Sequence, residues 1–296
     1  MSTPQNSILN SFKNEFSSAV NVIHVNSLDM DVKFREVTVI EQKNLSKTMI
    51  ENEDRKDIVY TTQCDLINRL CIDKIPRKVI DQKTNEETVI YDNFDIYDLT
   101  EFDRIRILAE IYKNNYFKNT IEYTCKECGQ HNKYVLDFSK IIAKFNEFDL
   151  KDVTYYLEDD KHKFNFVINY PSVRAVSEFY KSYMKKYKGT TKKQQEVLDS
   201  LGNIDYINLF IKSAEYISKE DPTKREKADF TVMSYSDIEQ LISYFPQNII
   251  FSEENGVLKF IAQEFISKLN NVFAYEKCAF CGAESHEGMG NVVDFF

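Results

Sequence analysis

Glycine and proline are both scarce in this chain, at 7 and 5 of 296 residues, and histidine is scarcer still, at 4. The raw materials of a phosphate-cradling loop are therefore thin, and no Gly-rich phosphate loop, HExxH, GxSxG or Ser/His/Asp arrangement is visible. The expectation is a protein without catalytic equipment. No apolar run approaches the roughly 18 residues a membrane span needs, so no membrane association is expected. There is no dense stripe of Lys and Arg either. With 38 Lys and Arg against 47 Asp and Glu, a net charge of -9 and a pI near 5.2, the chain is poorly suited to neutralising phosphates, and no nucleic-acid partner is expected. The first residues lack the basic start, apolar stretch and small-residue cleavage site of an export signal. The expected setting is a reducing cytoplasm, where cysteines serve as thiols or metal ligands rather than disulfides.

What is present is 43% hydrophobic residues with 22 Phe and 18 Tyr, enough to build a substantial core at this length. There are also six cysteines, and four of them form a repeated motif: Cys125-Lys-Glu-Cys128-Gly129 and Cys278-Ala-Phe-Cys281-Gly282. Two intervening residues let both sulfurs of a pair point to one side of a tight turn, and the glycine lets the backbone curl beneath them. Two such pairs fill the four positions of a tetrahedral structural Zn²⁺ site, leaving none open to water. Closing a loop of about 150 residues instead of about 20 costs only about 2 kcal/mol. A structural zinc returns on the order of 10 kcal/mol or more, so the separation is no obstacle. The expected ligands are Cys125, Cys128, Cys278 and Cys281. Other readings stay open: a thioredoxin-like redox pair, a disulfide staple, or replacement of a cysteine ligand by His131 or His286, which otherwise read as loop histidines.

Periodicity divides the chain into four stretches. Residues 1–22 carry Ile8, Leu9, Phe12, Phe16 and Val20 on one helical face, an amphipathic arm suited to docking on a partner or on its own domain. Residues 23–170 read as an α+β domain. A strand carrying Val32 and Phe34 is expected there, then a helix over 39–50 and a second over 57–72 that turns Cys64 and Cys71 inward as small apolar residues. A further helix opens at the capping box Thr100-Glu-Phe-Asp103. The first CxxC should cap a β-hairpin whose outgoing arm alternates through Tyr134, Leu136 and Phe138, and a second hairpin is expected over 153–168. Residues 171–277 read as mainly helical, with stripes at Val173 to Tyr183, at Ile204, Ile207, Ile211, Ala214 and Ile217, after a cap at Ser236, and at Leu258 to Val272. Residues 219–229 read as a charged linker. The second knuckle and an apolar tail fill 278–296. The fold class is thus α+β: a mixed domain with a zinc-knuckle β-hairpin, followed by a mainly helical C-terminal region.

The block running from Lys33 through Val37 to Lys43, the helix holding Cys64, the run Phe94-Asp-Ile-Tyr-Asp-Leu-Thr-Glu-Phe-Asp-Arg-Ile-Arg-Ile-Leu108, the segment Ile121-Glu-Tyr-Thr-Cys-Lys-Glu-Cys128 and Tyr134-Val-Leu-Asp-Phe138 occur in an order and spacing that resemble the baseplate hub subunit family of T-even-like contractile-tailed bacteriophages. The resemblance covers roughly 31–171. It implies a structural virion protein of the tail baseplate, hub or inner region, present in multiple copies of a symmetric assembly, with other baseplate and tail proteins as partners and no enzymatic activity. The host cytoplasm would hold it during assembly. The second CxxC lies beyond the family's usual length. Two alternatives remain: a transient assembly factor absent from the virion, and a zinc-ribbon regulator of nucleic acid or polymerase. The latter needs a basic face around Lys126, Lys133 and Lys140, where Glu122, Glu127 and Asp137 are interleaved.

Overall fold

The computed structural model describes residues 20–52, 54–80, 87–114, 120–125, 127–187, 204–221, 223–272 and 277–283. Residues 1–19 of the amphipathic arm expected over 1–22, the apolar tail after residue 283 and His286 lie outside them, and Val20–Val22, the end of that arm, are strand rather than helix. The fold class is α+β, as expected.

The first strands, β1 (Val20–Val25) and β2 (Met30–Arg35), form an antiparallel pair whose inward side chains Ile23, Val25, Val32 and Phe34 alternate along each strand. Helix α1 (Val39–Glu51) starts at a capping box: Thr38 Oγ1 accepts from the Glu41 amide at 3.3 Å, and Glu41 Oε2 accepts from the Thr38 amide at 3.0 Å. Arg35 closes on both oxygens of the same carboxylate, at 2.7 and 2.9 Å. Helix α2 (Lys56–Leu70) buries Cys64 and Ile67, while Cys71 stands just past its end, half-buried. A hairpin the hydrophobic pattern did not reveal, β3 (Lys74–Ile80) with β4 (Glu87–Asn93), follows.

Helix α3 (Glu101–Asn114) occupies the centre. Every residue from Glu101 to Ala109 is buried, the charged ones included. The Asp103 carboxylate accepts from Thr100 Oγ1 at 2.7 Å and from the amides of Asn26 at 2.9 Å and Ser27 at 3.3 Å. The cap bond suggested by the sequence is present, the Asp103 amide donating to Thr100 Oγ1 at 3.3 Å, and the Asp103 carboxylate additionally reaches across to a loop more than 70 residues away. Arg106 donates to Asn26 Oδ1 and, at 2.8 Å, to Asn146 Oδ1.

The knuckle hairpin, β5 (Thr120–Thr124) and β6 (His131–Val135), forms as expected. Its outgoing arm is shorter than the alternation suggests. Asp137 accepts from the amides of Ser139 and Lys140 at 3.1 and 3.2 Å and starts helix α4 (Phe138–Phe145), so Phe138 enters the core from a helix.

The largest correction lies in the third stretch. Strands β7 (Val153–Glu158) and β8 (His162–Ile168) form the expected hairpin, but β8 also pairs with β9 (Ile211–Ser218), and β9 pairs with β10 (Arg225–Asp229). The result is a four-stranded antiparallel sheet in the order β10-β9-β8-β7. The stripe read as a second helix is helical only over 204–208, and the charged linker contains β10. The reason is a bulge. Ile168 pairs with Ile211 but Val167 pairs with Ser213, so Lys212 is the extra residue. That insertion breaks the period of two and spaces Ile211 from Ala214 like neighbours on a helix. Because β8 and β9 pair across Pro171, the sheet draws on both sides of that position; the Pro171 carbonyl also accepts from the Glu101 amide at 2.8 Å.

Helix α5 (Val173–Tyr187) buries the stripe expected for it. Helix α6 (Tyr235–Ser243) is capped by Ser234, which accepts from the Asp237 amide at 3.3 Å, two residues before the cap expected at Ser236. After α7 (Gln247–Phe251), the last helical run comprises α8 (Val257–Ile261), a π-helical turn (Ala262–Ile266) and α9 (Ser267–Val272). Leu258, Ile261, Phe265, Leu269 and Val272 all remain buried along it.

Candidate metal centre

Each knuckle is a short loop closed by its own backbone. In the first, the Cys125 amide donates to the Gln130 carbonyl at 2.9 Å and the Gly129 amide to the Cys125 carbonyl at 2.8 Å; in the second, Cys278 donates to Ala283 at 2.8 Å and Gly282 to Cys278 at 2.9 Å. The two loops are therefore built alike. Gly129 and Gly282 adopt φ of +70° and +72°, the left-handed region that disfavours a Cβ. Nothing lies within 4 Å of where a Cβ would stand at either position, so glycine is required there by the dihedral and not by crowding.

The loops face one another. Cys125 Sγ lies 3.7 Å from Cys281 Sγ, Cys128 Sγ lies 3.7 Å from Cys278 Sγ, and all four sulfurs fall within 4.8 Å of each other. A disulfide would place its sulfurs at about 2.05 Å. A tetrahedron with metal–sulfur bonds of about 2.3 Å has edges of about 3.8 Å. The two inter-loop edges of 3.7 Å match that tetrahedron and the remaining distances stay within 4.8 Å, so the four residues, two from each knuckle, could hold a metal. The staple reading does not match this geometry.

The second knuckle is delivered by α9, which packs on α4, and Lys144 of α4 donates through Nζ to the Asn271 carbonyl at 2.8 Å. Asn132 joins the two loops directly. Buried on β6, it donates to the Gln130 carbonyl at 2.9 Å and accepts from the Ala279 amide at 3.1 Å. Nothing in the spacing of the cysteines singled Asn132 out; its position three residues past Gly129 gains meaning only when the second knuckle is in place.

The local electrostatics favour thiolate at Cys278 but raise the thiols of Cys128 and Cys281. The backbone amides of Cys281 and Phe280, together with Asn132, hold the Cys278 thiol down at about 6 against the cost of desolvation. At Cys128 the Gln130 amide also lowers the pKa, but desolvation and the sulfurs of Cys281, Cys125 and Cys278 outweigh it and push the thiol up to about 12. Four crowded sulfurs cannot all ionise unaided, and a divalent cation removes that conflict.

His131 sits on the exposed side of β6, its Nδ1 3.2 Å from Thr124 Oγ1, and is not among the clustered ligands. Cys64 is fully buried and its thiol is pushed up to about 12 by desolvation; Cys71 is raised to about 11, chiefly by the same cause. Both belong to the hydrophobic interior rather than to the metal centre. No protein-family model, curated protein or solved structure matches the chain.

Proposed function

We propose that the chain is a structural subunit of a contractile-tail baseplate in which Cys125, Cys128, Cys278 and Cys281 bind one structural Zn²⁺. The observation that supports the metal role is the closed set of four sulfurs, with edges near those of a zinc–thiolate tetrahedron. When bound, zinc supplies no open coordination position and hence rigidity rather than chemistry. The protein's own contribution is to pre-shape both loops through their backbone bonds and to align them through Asn132. Zinc then clasps the end of the α8–α9 run to the β5–β6 hairpin, holding 277–283 against a domain 150 residues away in sequence.

The baseplate role is supported by the resemblance over 31–171 and by the acidic composition. Partners would be other baseplate and tail proteins, with many copies arranged about the tail axis. Peptide mass spectrometry of purified tails tests this reading. The chain is expected in intact baseplates at a fixed ratio to other tail proteins. Its presence in infected cells but not in particles would favour the assembly-factor role, and salt-sensitive DNA binding would favour the regulator. Native mass spectrometry tests the metal separately, with one zinc per chain expected and two zincs refuting a shared site.

A further inference from the structure

The β3–β4 hairpin has two very different edges. Its strands are seven residues each, pair with one another, and pair with no further strand among the described residues. The outer edge of β3 carries Pro76, which has no amide hydrogen to offer, flanked by Lys74, Arg77 and Lys78. Proline and lysine are devices that stop a sheet edge from recruiting another strand. The outer edge of β4 carries neither. All seven of its residues are exposed, including Val89 at 50%, Ile90 at 38% and Tyr91 at 65%. Its two carboxylates are already engaged across the hairpin, Asp92 with Arg77 and Glu87 with Lys78, both at 2.6 Å. One edge is guarded and the other is left open, β-branched, aromatic and locally neutralised.

We infer that β4 is a self-pairing edge: a second copy of this chain adds its own β4 antiparallel across a two-fold axis at Ile90, joining the hairpins into one four-stranded sheet. The sequence of β4 matches itself in that register. Ile90 faces Ile90, Val89 faces Tyr91 and Tyr91 faces Val89, which are favourable aromatic and β-branched cross-strand pairs. Thr88 faces Asp92 and Glu87 faces Asn93, so no carboxylate meets another. Neighbouring two-fold registers are poorer: centring on Tyr91 sets Asp92 against Ile90, and centring on Val89 sets Glu87 against Tyr91. The same patch serves both copies, as an isologous contact requires. A two-stranded hairpin is marginal in water, whereas a sheet of three or more strands with a hydrophobic face can be stable. A single strand pair buries less than a standard interface, so dimerisation in the micromolar range is expected.

Sedimentation of the full chain across the micromolar range tests this, with Ile90→Lys and Ile90→Glu as probes. Because Ile90 is exposed on a peripheral hairpin, both variants should retain the wild-type circular dichroism spectrum and metal content. Wild type should rise about twofold from 34.8 kDa with concentration. Each variant alone should stay at monomer mass, since like charges then face each other on the axis. Their equimolar mixture should recover the doubled mass. Amide exchange over 88–92 should slow with concentration in wild type only. A wild type that stays monomeric, a dimer that ignores Ile90→Lys, or a mixture that fails to recover would each overturn the proposal. Protection of β4 appearing only when a different protein is added would overturn it in favour of a heterologous strand partner.

Discussion

Two parts of this molecule tie distant segments together by opposite means. Around α3 the work is done in the dry interior. Arg104, with no exposed surface, donates to both oxygens of Glu101 and to Gln63 Oε1, stands 4.3 Å over the ring of Tyr60, and shares Glu101 with the Tyr60 hydroxyl at 2.5 Å. Burial and the neighbouring Glu101 raise the Tyr60 phenol well above its ordinary range, so Tyr60 stays a neutral donor to Glu101. At the knuckles the link is made near the surface, where Cys281 is exposed and Cys128 half-buried. Little apolar area is gathered there, and four sulfurs substitute for a core. The first arrangement depends on buried hydrogen bonds and charge pairing, the second, as proposed above, on a metal. Each should therefore fail alone.

Removing the proposed metal should give the largest local effect. Cys278→Ser, or treatment with a chelator, should abolish zinc binding and open 277–283 and the 127–130 turn to amide exchange, while α3 stays protected. Exchange mapped by mass spectrometry checks this; loss of protection throughout α3 would show that the two ties are one cooperative unit. The converse is Arg104→Met, which leaves Glu101 buried without its cation. Breaking one side of a buried pair costs about 3–5 kcal/mol, seen as a lowered denaturation midpoint, with the zinc content of the folded fraction unchanged. Adding Glu101→Gln to Arg104→Met should restore part of that stability, because the orphaned charge is then gone.

Smaller effects sharpen the contrast. Asn132→Ala removes the bridge between the knuckles and should weaken zinc affinity by about 10- to 100-fold, as loss of outer-shell partners typically does; competition with a chromophoric chelator measures it. The part-buried clamp on Glu41 predicts a pH signature. The Arg35 hydrogen bond chiefly, and those from Thr38, lower this carboxyl from 4.5 to about 2. A depressed folded value means that its contribution, about 1–2 kcal/mol after solvent screening, is complete above pH 4.5 and vanishes as pH falls through about 2. The stability difference between wild type and Glu41→Gln should shrink over that window and stay flat above it.

The legible parts of the fold were those whose signal is local. The helix from residue 39 and the stripes of α5 and α8–α9 follow from periodicity, whereas Asp137, which alternation places in a strand arm, caps α4 instead. The misread segment, 204–217, failed because the bulge at Lys212 breaks strand alternation and imitates helical spacing. Hairpin β3–β4 escaped notice because its strands bury no continuous face, so no alternation marks them. Glu101, Asp103, Arg104 and Arg106 are interspersed with apolar residues along α3, and only the packing of α2, α5 and the 26–27 loop around it makes them interior.

The candidate site divides along the same line. That these four cysteines are the leading ligand candidates, and that a glycine closes each turn, follow from the repeated CxxCG alone, because a knuckle is a five-residue device with its own chemistry. That the pairs face each other at tetrahedral spacing, that Asn132 spans them and that His131 turns away were decided by tertiary structure. Those relations join residues some 150 positions apart, and such separations are set by how α4 and α9 pack rather than by any local pattern.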